Sequence, residues 1–365
     1  MSKAAGLVRA AAIDCGTNSL RLLIADVDPR QATMADLARR MEIVRLGQGV
    51  DATGRLAPDA LDRTFRVLEE YAALISGSAA DAVRMVATSA TRDAANSAEF
   101  VRGVTRILGV PPEVLSGDQE ARLSFTGATA ELASPGPAGQ RFAPPYLVVD
   151  IGGGSTEFVL GGRQPGAAVP GGMTPARAQP ARAQPDADQA GAAQADTASA
   201  SAGPARQITA ISVNIGCVRM TERYLHSDPP ADTEIAAAVA DIDAAIGRAA
   251  AEVPAQRACT LVGLAGSVTT VAGIALGLPA YDASRIHHAR IPAGEVHAVT
   301  QMLLGQTRAQ RGLIGVMHPG RIDVIGAGAL VLDRILIRLG FAEVVVSEHD
   351  ILDGIAWSMV DHHAG

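Results

Sequence analysis

Two segments of one design stand far apart in the chain: Ile13-Asp14-Cys15-Gly16-Thr17-Asn18-Ser19-Leu20-Arg21 and Val149-Asp150-Ile151-Gly152-Gly153-Gly154-Ser155-Thr156-Glu157. Each reads as a β-strand ending in Asp, a Gly-containing polar turn and a second strand, Leu20 to Val27 and Glu157 to Gly161. One such turn is an ordinary hairpin. Two of them predict a pair of similar half-domains gripping a single ligand. Gly, Ser, Thr and Asn in a turn can aim backbone N–H groups and hydroxyls at one point, which suits a phosphate oxygen. An Asp beside each phosphate-sized turn calls for a cation, and carboxylate plus phosphate oxygens suit Mg²⁺.

The rest of the chain allows such a scaffold. At 365 residues and 48% hydrophobic it can bury a large core, and its length suggests two domains. The longest apolar runs are strand-sized or broken by Gly and polar residues, so no membrane span is expected. The start, Met1-Ser2-Lys3, passes almost directly into a strand without a signal-peptide apolar region. Three cysteines, Cys15, Cys217 and Cys259, lack metal-ligand spacing and read as small buried residues in a reducing cytoplasm. The net charge of −7 argues against nucleic acid as a partner. Lys3 is the only lysine; arginines supply the other basic positions and suit bidentate phosphate contacts, although GC-rich coding explains the bias as well.

Strands are expected at Ala11 to Asp14, Leu20 to Val27, Met41 to Arg45, Val83 to Ala87, Glu113 to Leu115, Ile208 to Val213 and Glu343 to Ser347. Helices are expected at Pro58 to Ile75, near Ala98 to Leu108, from Asp118 to Leu132, and through most of the C-terminal third. The first of these carries Leu61, Phe65, Leu68, Tyr71 and Ile75 at roughly helical spacing, with Pro58 at its start. Alternation of this kind means an α/β fold. Residues 163–206 are Ala, Gln, Pro and Gly with small polar residues, including a tandem Ala-Arg-Ala-Gln-Pro, and are expected to be a disordered insertion at a hairpin tip. Thr260 to Thr270 reads as strand, Gly turn and helix start.

The two turns resemble the phosphate loops of the superfamily of actin, the heat-shock ATPases and the acetate and sugar kinases. Gly263-Leu264-Ala265-Gly266-Ser267 sits where that superfamily has a third, Gly-rich nucleoside loop. Three further stretches narrow the resemblance: Ala87-Thr88-Ser89-Ala90-Thr91-Arg92-Asp93-Ala94, Leu115-Ser116-Gly117-Asp118-Gln119-Glu120-Ala121-Arg122 and Ser347-Glu348-His349-Asp350-Ile351-Leu352-Asp353-Gly354. Together they resemble the exopolyphosphatase/guanosine pentaphosphate phosphatase family. The resemblance implies two ribonuclease-H-like domains, 1–128 and 129–347, with an active site in the cleft between them. The C-terminal helix of 348–365 would pack back on the first domain, and a homodimer is implied.

The resemblance also implies roles. Glu120 would be the general base on the attacking water. Asp14, Asp150 and Glu157 would be metal ligands, the last two also catalytic. Thr17, Asn18, Ser19, Arg92, Gly152, Gly153, Gly154, Ser155, Thr156, Gly266 and Ser267 would bind substrate phosphates. Read alone, Glu120 is equally well explained as a helix-start carboxylate favoured by the dipole. Arg21 follows the first turn without an assigned direction. His287-His288 and His362-His363 have no third ligand at metal spacing and read as surface or helix-end residues.

Departures from the family pattern are Cys15 for Leu, Thr17 for Ser, and Ile351-Leu352-Asp353-Gly354 where many members have Leu-Arg-Glu-Gly, so an arginine is missing. The chain also stops short of the helical phosphohydrolase-like region of longer members, from which a preference for shorter polyphosphates is expected. The expected activity is Mg²⁺-dependent release of orthophosphate from polyphosphate. Alternatives are hydrolysis of guanosine pentaphosphate to the tetraphosphate, a kinase of the wider superfamily, or a non-enzymatic sensor of either ligand.

Overall fold

The computed structural model describes residues 7–132, 141–162 and 208–361. The expected insertion at 163–206, the pair His362-His363 and Lys3 lie outside the described residues.

Two mixed sheets organise the chain. The first contains β1 (Val8–Cys15), β2 (Ser19–Asp28), β3 (Thr33–Ile43), β4 (Ala82–Ala87) and β5 (Glu113–Val114) in the order β3-β2-β1-β4-β5. The second contains β6 (Tyr146–Ile151), β7 (Thr156–Gly161), β8 (Thr209–Val213), β9 (Thr260–Leu264), β10 (Arg290–Pro292) and β11 (Glu343–Val346) in the order β10-β11-β9-β6-β7-β8. Without β10 the two orders match strand for strand. In each sheet the first strand pairs antiparallel with the second and parallel with the fourth. The expectation of an α/β fold with two ribonuclease-H-like domains is met.

The sequences of β1 and β6 explain their central places. Ala10-Ala11-Ala12-Ile13 and Leu147-Val148-Val149 are apolar on both faces and wholly buried, as a strand covered on both sides must be. β3 is different. It runs from Thr33, well before the expected Met41, because its Arg39, Arg40 and Glu42 occupy an exposed edge where charge blocks further pairing. β10 was not expected; it adds three residues antiparallel to β11.

Helices fill the outer layers. The helix Pro58–Ser78 buries Leu61, Leu68, Tyr71 and Ile75 against the first sheet, and Phe65 stacks on Phe100 of the helix Ser97–Leu108 at 6.3 Å between centroids. Two other helices exchange sheets. The helix Gly117–Thr129 packs Ala121, Phe125 and Ala128 on Val148, Val159 and Val262 of the second sheet. The final helix, Ile351–Asp361, packs Ile351, Leu352, Ile355 and Ala356 on Ala10, Ala12 and Leu23 of the first. Each fully buried Leu or Ile contributes roughly 1.5–3 kcal/mol to that docking.

The two helices cross at glycines. A Cβ on Gly127 would stand 1.8 Å from the Asp350 carbonyl oxygen, and one on Gly354 would stand 2.0 Å from that of Leu123. Any side chain at either position would force the backbones apart. Among the described residues no helix is long and apolar enough to cross a membrane.

Candidate active site

Both polar turns close in the same way. Gly16 N–H donates to Ser19 O at 3.0 Å, and Gly152 N–H donates to Ser155 O at 3.0 Å. Strand register then places Asp14 opposite Arg21 and Asp150 opposite Glu157. The turns face each other closely. A Cβ on Gly153 would meet Thr17 Cβ at 2.9 Å, and one on Gly154 would meet Ser89 Oγ at 2.6 Å. Thr17 and Ser89 share a hydroxyl hydrogen bond of 2.8 Å. Behind the second turn, the carbonyls of Gly152 and Gly153 accept from the first N–H groups of the helix Cys217–Tyr224. That capping fixes the turn's shape.

The turns open onto a cleft of about 790 Å³, its mouth included. Asp14, Thr17, Asn18, Ser19, Glu120, Asp150, Gly152, Gly153, Ser155, Gly266 and Ser267 all line it. Gly154, Thr156, Glu157 and Arg92 do not. Thr156 Oγ1 donates to Ile215 O at 2.6 Å, and Gly154 O accepts from Arg219 Nε at 2.7 Å, so both serve the turn's framework. Glu157 lies behind the wall, its Oε1 accepting from Ser155 and Ser212 hydroxyls at 2.8 and 2.7 Å. Arg92 Nη1 donates to Leu115 O at 2.8 Å and pairs with Glu120 Oε2 at 3.2 Å.

Glu120 reaches the cleft through its helix cap. Ser116 and Gln119 form a reciprocal capping box, Ser116 Oγ accepting from Gln119 N–H while Gln119 Oε1 accepts from Ser116 N–H. This pins the first turn of the helix and presents Glu120 inward, buried. Gly117 permits the approach to β8, since a Cβ there would meet Ser212 Cβ at 2.4 Å.

Five carboxylates are buried in or beside the cleft: Asp14, Glu120, Asp150, Glu157 and Asp350. Arg21 is wedged between two of them, donating to Asp14 Oδ2 from Nε (3.0 Å) and Nη2 (2.7 Å) and to Asp350 Oδ2 from Nη1. Although burial works against it, Asp350 is held below the usual carboxylate range by Arg21 and by the Leu352 N–H. Asp150 Oδ2 accepts from the Ser124 hydroxyl at 2.7 Å; burial and then the Asp350 charge push Asp150 up to about 6, against Ser124 and Arg21. Burial and then Asp150 push Glu157 up to about 8. Glu120 rises well above its ordinary value through burial and the Glu157 charge, against the pull of Arg92. Carboxylates crowded in this way hold protons unless a cation joins them.

A family model for the Ppx/GppA phosphatase family matches residues 23–170 and 188–363. The chain belongs to that family. It is similar to Exopolyphosphatase 2 of Mycobacterium tuberculosis, with 43% identity over 364 residues, 97% of this chain and 99% of the relative. Its fold is similar to the crystal structure of an exopolyphosphatase-like protein at 40% identity, with a TM-score of 0.84 and coverage of 99% and 100% of the two chains. The Aquifex aeolicus member of the Ppx/GppA family aligns at 26% identity and TM-score 0.70, covering 98% and 99%. The expected family membership is therefore established, and this Ppx/GppA chain is an enzyme homologue with a phosphatase scaffold.

Some site features were invisible in this family member's sequence. Arg321, after Pro319-Gly320, stands over the third loop: a Cβ on Gly266 would fall 2.2 Å from its guanidinium carbon. It donates to Thr270 Oγ1 at 3.2 Å and forms no salt bridge among the described residues. Nothing in the local pattern distinguished it from other arginines. The missing arginine at Leu352 has neighbours of the same charge, because Arg39 and Arg40 of β3 line an adjoining cavity of about 1120 Å³ with Leu352. Two expectations need correction. Cys259 is exposed, unlike Cys15 and Cys217, because it sits at a turn before β9. His287 and His288 do follow a short helix, Ala283–Ile286, but His288 is buried, and folding brings Glu131 and His349 beside His287 as further donors. Sequence spacing could not show donors contributed by distant segments.

Proposed function

We propose that the chain is an exopolyphosphatase, hydrolysing the terminal phosphoanhydride of polyphosphate to release orthophosphate. The observation that carries this reading is the meeting of both polar turns with one buried carboxylate, Glu120, in a single cleft. Similarity supports it as well, through the 43%-identical exopolyphosphatase. Thr17, Asn18, Ser19, Gly152, Gly153 and Ser155 would cradle the terminal phosphate, with Ser267 and Gly266 beyond. Arg321 would add the unpaired positive charge that a polyanion needs.

Glu120 would accept a proton from the attacking water as its oxygen bonds to the terminal phosphorus. The bond from that phosphorus to the rest of the chain breaks in the same displacement, and the shortened chain leaves as a phosphate anion. A carboxylate whose proton affinity is raised by burial and by the Glu157 charge makes a stronger base, and Arg92 opposes that rise. Arg92 thus becomes a positioning residue rather than the phosphate contact expected from sequence.

The donor set fits Mg²⁺. Among the described residues Asp14 Oδ1 is buried without a hydrogen-bond partner, and burial followed by neighbouring carboxylates raises the proton affinities of Asp150 and Glu157. Asp14, Asp150 and Glu157 would hold the ion, with Glu157 recruited from behind the wall. Bound there, it would neutralise charge developing on the phosphate oxygens.

A second reading is hydrolysis of guanosine pentaphosphate. It is favoured by the adjoining cavity, which shares Arg21, Gly266 and Arg321 with the cleft and offers Tyr281, Met317 and Met41 as an apolar lining. Phosphate release from polyphosphate and from guanosine pentaphosphate, side by side with Mg²⁺, decides between them. Glu120→Ala should lower kcat by roughly 10²–10⁴-fold on the true substrate. Equal turnover in wild type and Glu120→Ala would remove the assignment of the base, and no turnover on either substrate would leave a sensor.

A further inference from the structure

Away from the cleft, three donors from distant segments meet. Glu131 Oε2 lies 3.5 Å from His287 Nε2 and 3.5 Å from His349 Nδ1, and the three donor atoms all fall within 4.8 Å of one another. These separations exceed a good hydrogen bond of about 2.7–3.2 Å. They match a different geometry. A zinc ion bound at about 2.0–2.2 Å by nitrogen and oxygen holds tetrahedral neighbours about 3.4 Å apart.

A second observation points the same way. His287 Nε2 is buried and, among the described residues, makes no hydrogen bond of good geometry, with Glu131 Oε2 at 3.5 Å facing it. Its ring is held from behind by His288 at 3.7 Å between centroids, and His288 rests on Phe142 at 5.2 Å. The His349 ring lies 4.7 Å from that of His287, and the His349 backbone N–H is anchored to Ser347 Oγ at 3.0 Å. The donors are therefore oriented by packing rather than loose on the surface.

We propose that Glu131, His287 and His349 form a site for a zinc-class divalent cation, separate from the magnesium carboxylates of the cleft. Two imidazoles and one carboxylate select late first-row ions over Mg²⁺ or Ca²⁺, which prefer all-oxygen shells. The remaining coordination positions go to water. His287 Nδ1 accepts from the Glu348 N–H at 3.2 Å, so the ring proton of the ion-free protein sits on Nε2. Ion capture at Nε2 would move that proton to Nδ1 and give up this long bond, a cost set against coordination.

Its location gives it a consequence. Glu131 follows the helix that carries Glu120, and His349 immediately precedes Asp350, the partner of Arg21. An ion held here ties the end of one crossing helix to the start of the other. Occupancy would thus stiffen this helix crossing without touching substrate.

The test uses the full chain, stripped of metal, titrated with Zn²⁺ by calorimetry in excess Mg²⁺ and with Co²⁺ by visible absorption. One equivalent should bind wild type, with the absorption of four-coordinate cobalt, and Zn²⁺ should raise the melting temperature. His287→Gln, His349→Gln and Glu131→Gln should each weaken binding at least about tenfold. Cys259→Ser and the double variant His362→Ala with His363→Ala should bind as wild type does. Glu131 is exposed, so its variant carries the test even where a histidine variant fails to fold. No uptake by wild type, or uptake unchanged in Glu131→Gln and His349→Gln, overturns the proposal.

Discussion

The two polar turns share one backbone design but not one charge plan. In the first, the residue opposite Asp14 is Arg21, whose guanidinium binds Asp14 and reaches on to Asp350. In the second, the residue opposite Asp150 is Glu157, a second carboxylate. Burial raises the proton affinity of Asp14, Asp150 and Glu157 alike; Arg21 opposes the rise at Asp14, whereas neighbouring carboxylates add to it in the second turn, to about 6 at Asp150 and about 8 at Glu157. Duplicate scaffolds thus carry unequal charge: the first half has a built-in cation, and the second gathers carboxylates.

The largest expected effect comes from erasing the internal cation. Arg21→Met would leave Asp14 and Asp350 buried without their partner, a loss on the order of 3–5 kcal/mol. Denaturant melts at pH 8 should show that loss, and added Mg²⁺ should restore part of it if the first turn then behaves like the second. A melt indifferent to both the substitution and Mg²⁺ would break the comparison.

The converse change on the second turn should stabilise. Asp150 binds its proton more tightly folded than unfolded, so the folded state carries no penalty below about pH 4. The penalty grows as pH rises from about 4 through 6 and is complete above that. Asp150→Asn removes it and keeps an acceptor for the Ser124 hydroxyl. At pH 8 without divalent ions the variant should be more stable by on the order of 1–3 kcal/mol, and at pH 4 it should gain nothing. Activity should vanish at both. A gain that is equal at pH 4 and pH 8 would show that packing rather than charge is responsible.

Much of this was legible from the chain, and the exceptions have physical causes. Asp14, Asp150 and the turns were readable because a strand-end Asp followed by Gly and hydroxyl residues is a local pattern, and local patterns survive folding. The apolar runs of β1 and β6 fit their central places, which only the sheet order reveals. The direction of Arg21 could not be read, since the side chain that answers it, Asp350, is contributed by the far end of the chain. The pairing of Arg92 with Glu120 could not be read, since Glu120 lies 28 residues on, across a helix. The helix Gly117–Thr129 carries no sign in its own sequence of which sheet receives it; only the close approach of Gly127 to Asp350 shows why it must lie where it does. β3 was shortened because exposed edge strands lack the apolar alternation that marks the others.

A smaller effect sharpens the link between the halves. Arg92 comes from the first sheet's side and lowers the proton affinity of Glu120, which the carboxylates of the second turn raise. Arg92→Ala should therefore move the acid limb of the kcat/KM profile to higher pH, so that activity at pH 6 falls more than activity at pH 9. Arg92→Lys should restore part of the shift. A profile displaced equally at every pH would mean that Arg92 acts on substrate instead.

The smallest expected effect concerns how the second turn is held against the first. Arg219 donates to Gly154 O in the second turn and reaches across to Asp51 at 2.7 Å and Asp93 at 2.6 Å, both on the first half. Asp51 is held as well by Arg223 at 2.5 Å, and that hydrogen bond lowers it below its usual carboxylate range. The pairs are partly buried, but Asp51 keeps Arg223 and Asp93 is a third exposed, so Arg219→Met should cost on the order of 1 kcal/mol of stability. Its effect should fall on substrate grip: KM rising a few-fold with kcat nearly constant, and the rise shrinking at high salt, where wild type has already lost the same pairs. A fall in kcat with KM unchanged would show instead that Arg219 shapes the Gly154 carbonyl and through it the phosphate cradle. The second turn would then depend on the first half for its geometry, and the two turns could not be treated as independent copies that differ in charge alone.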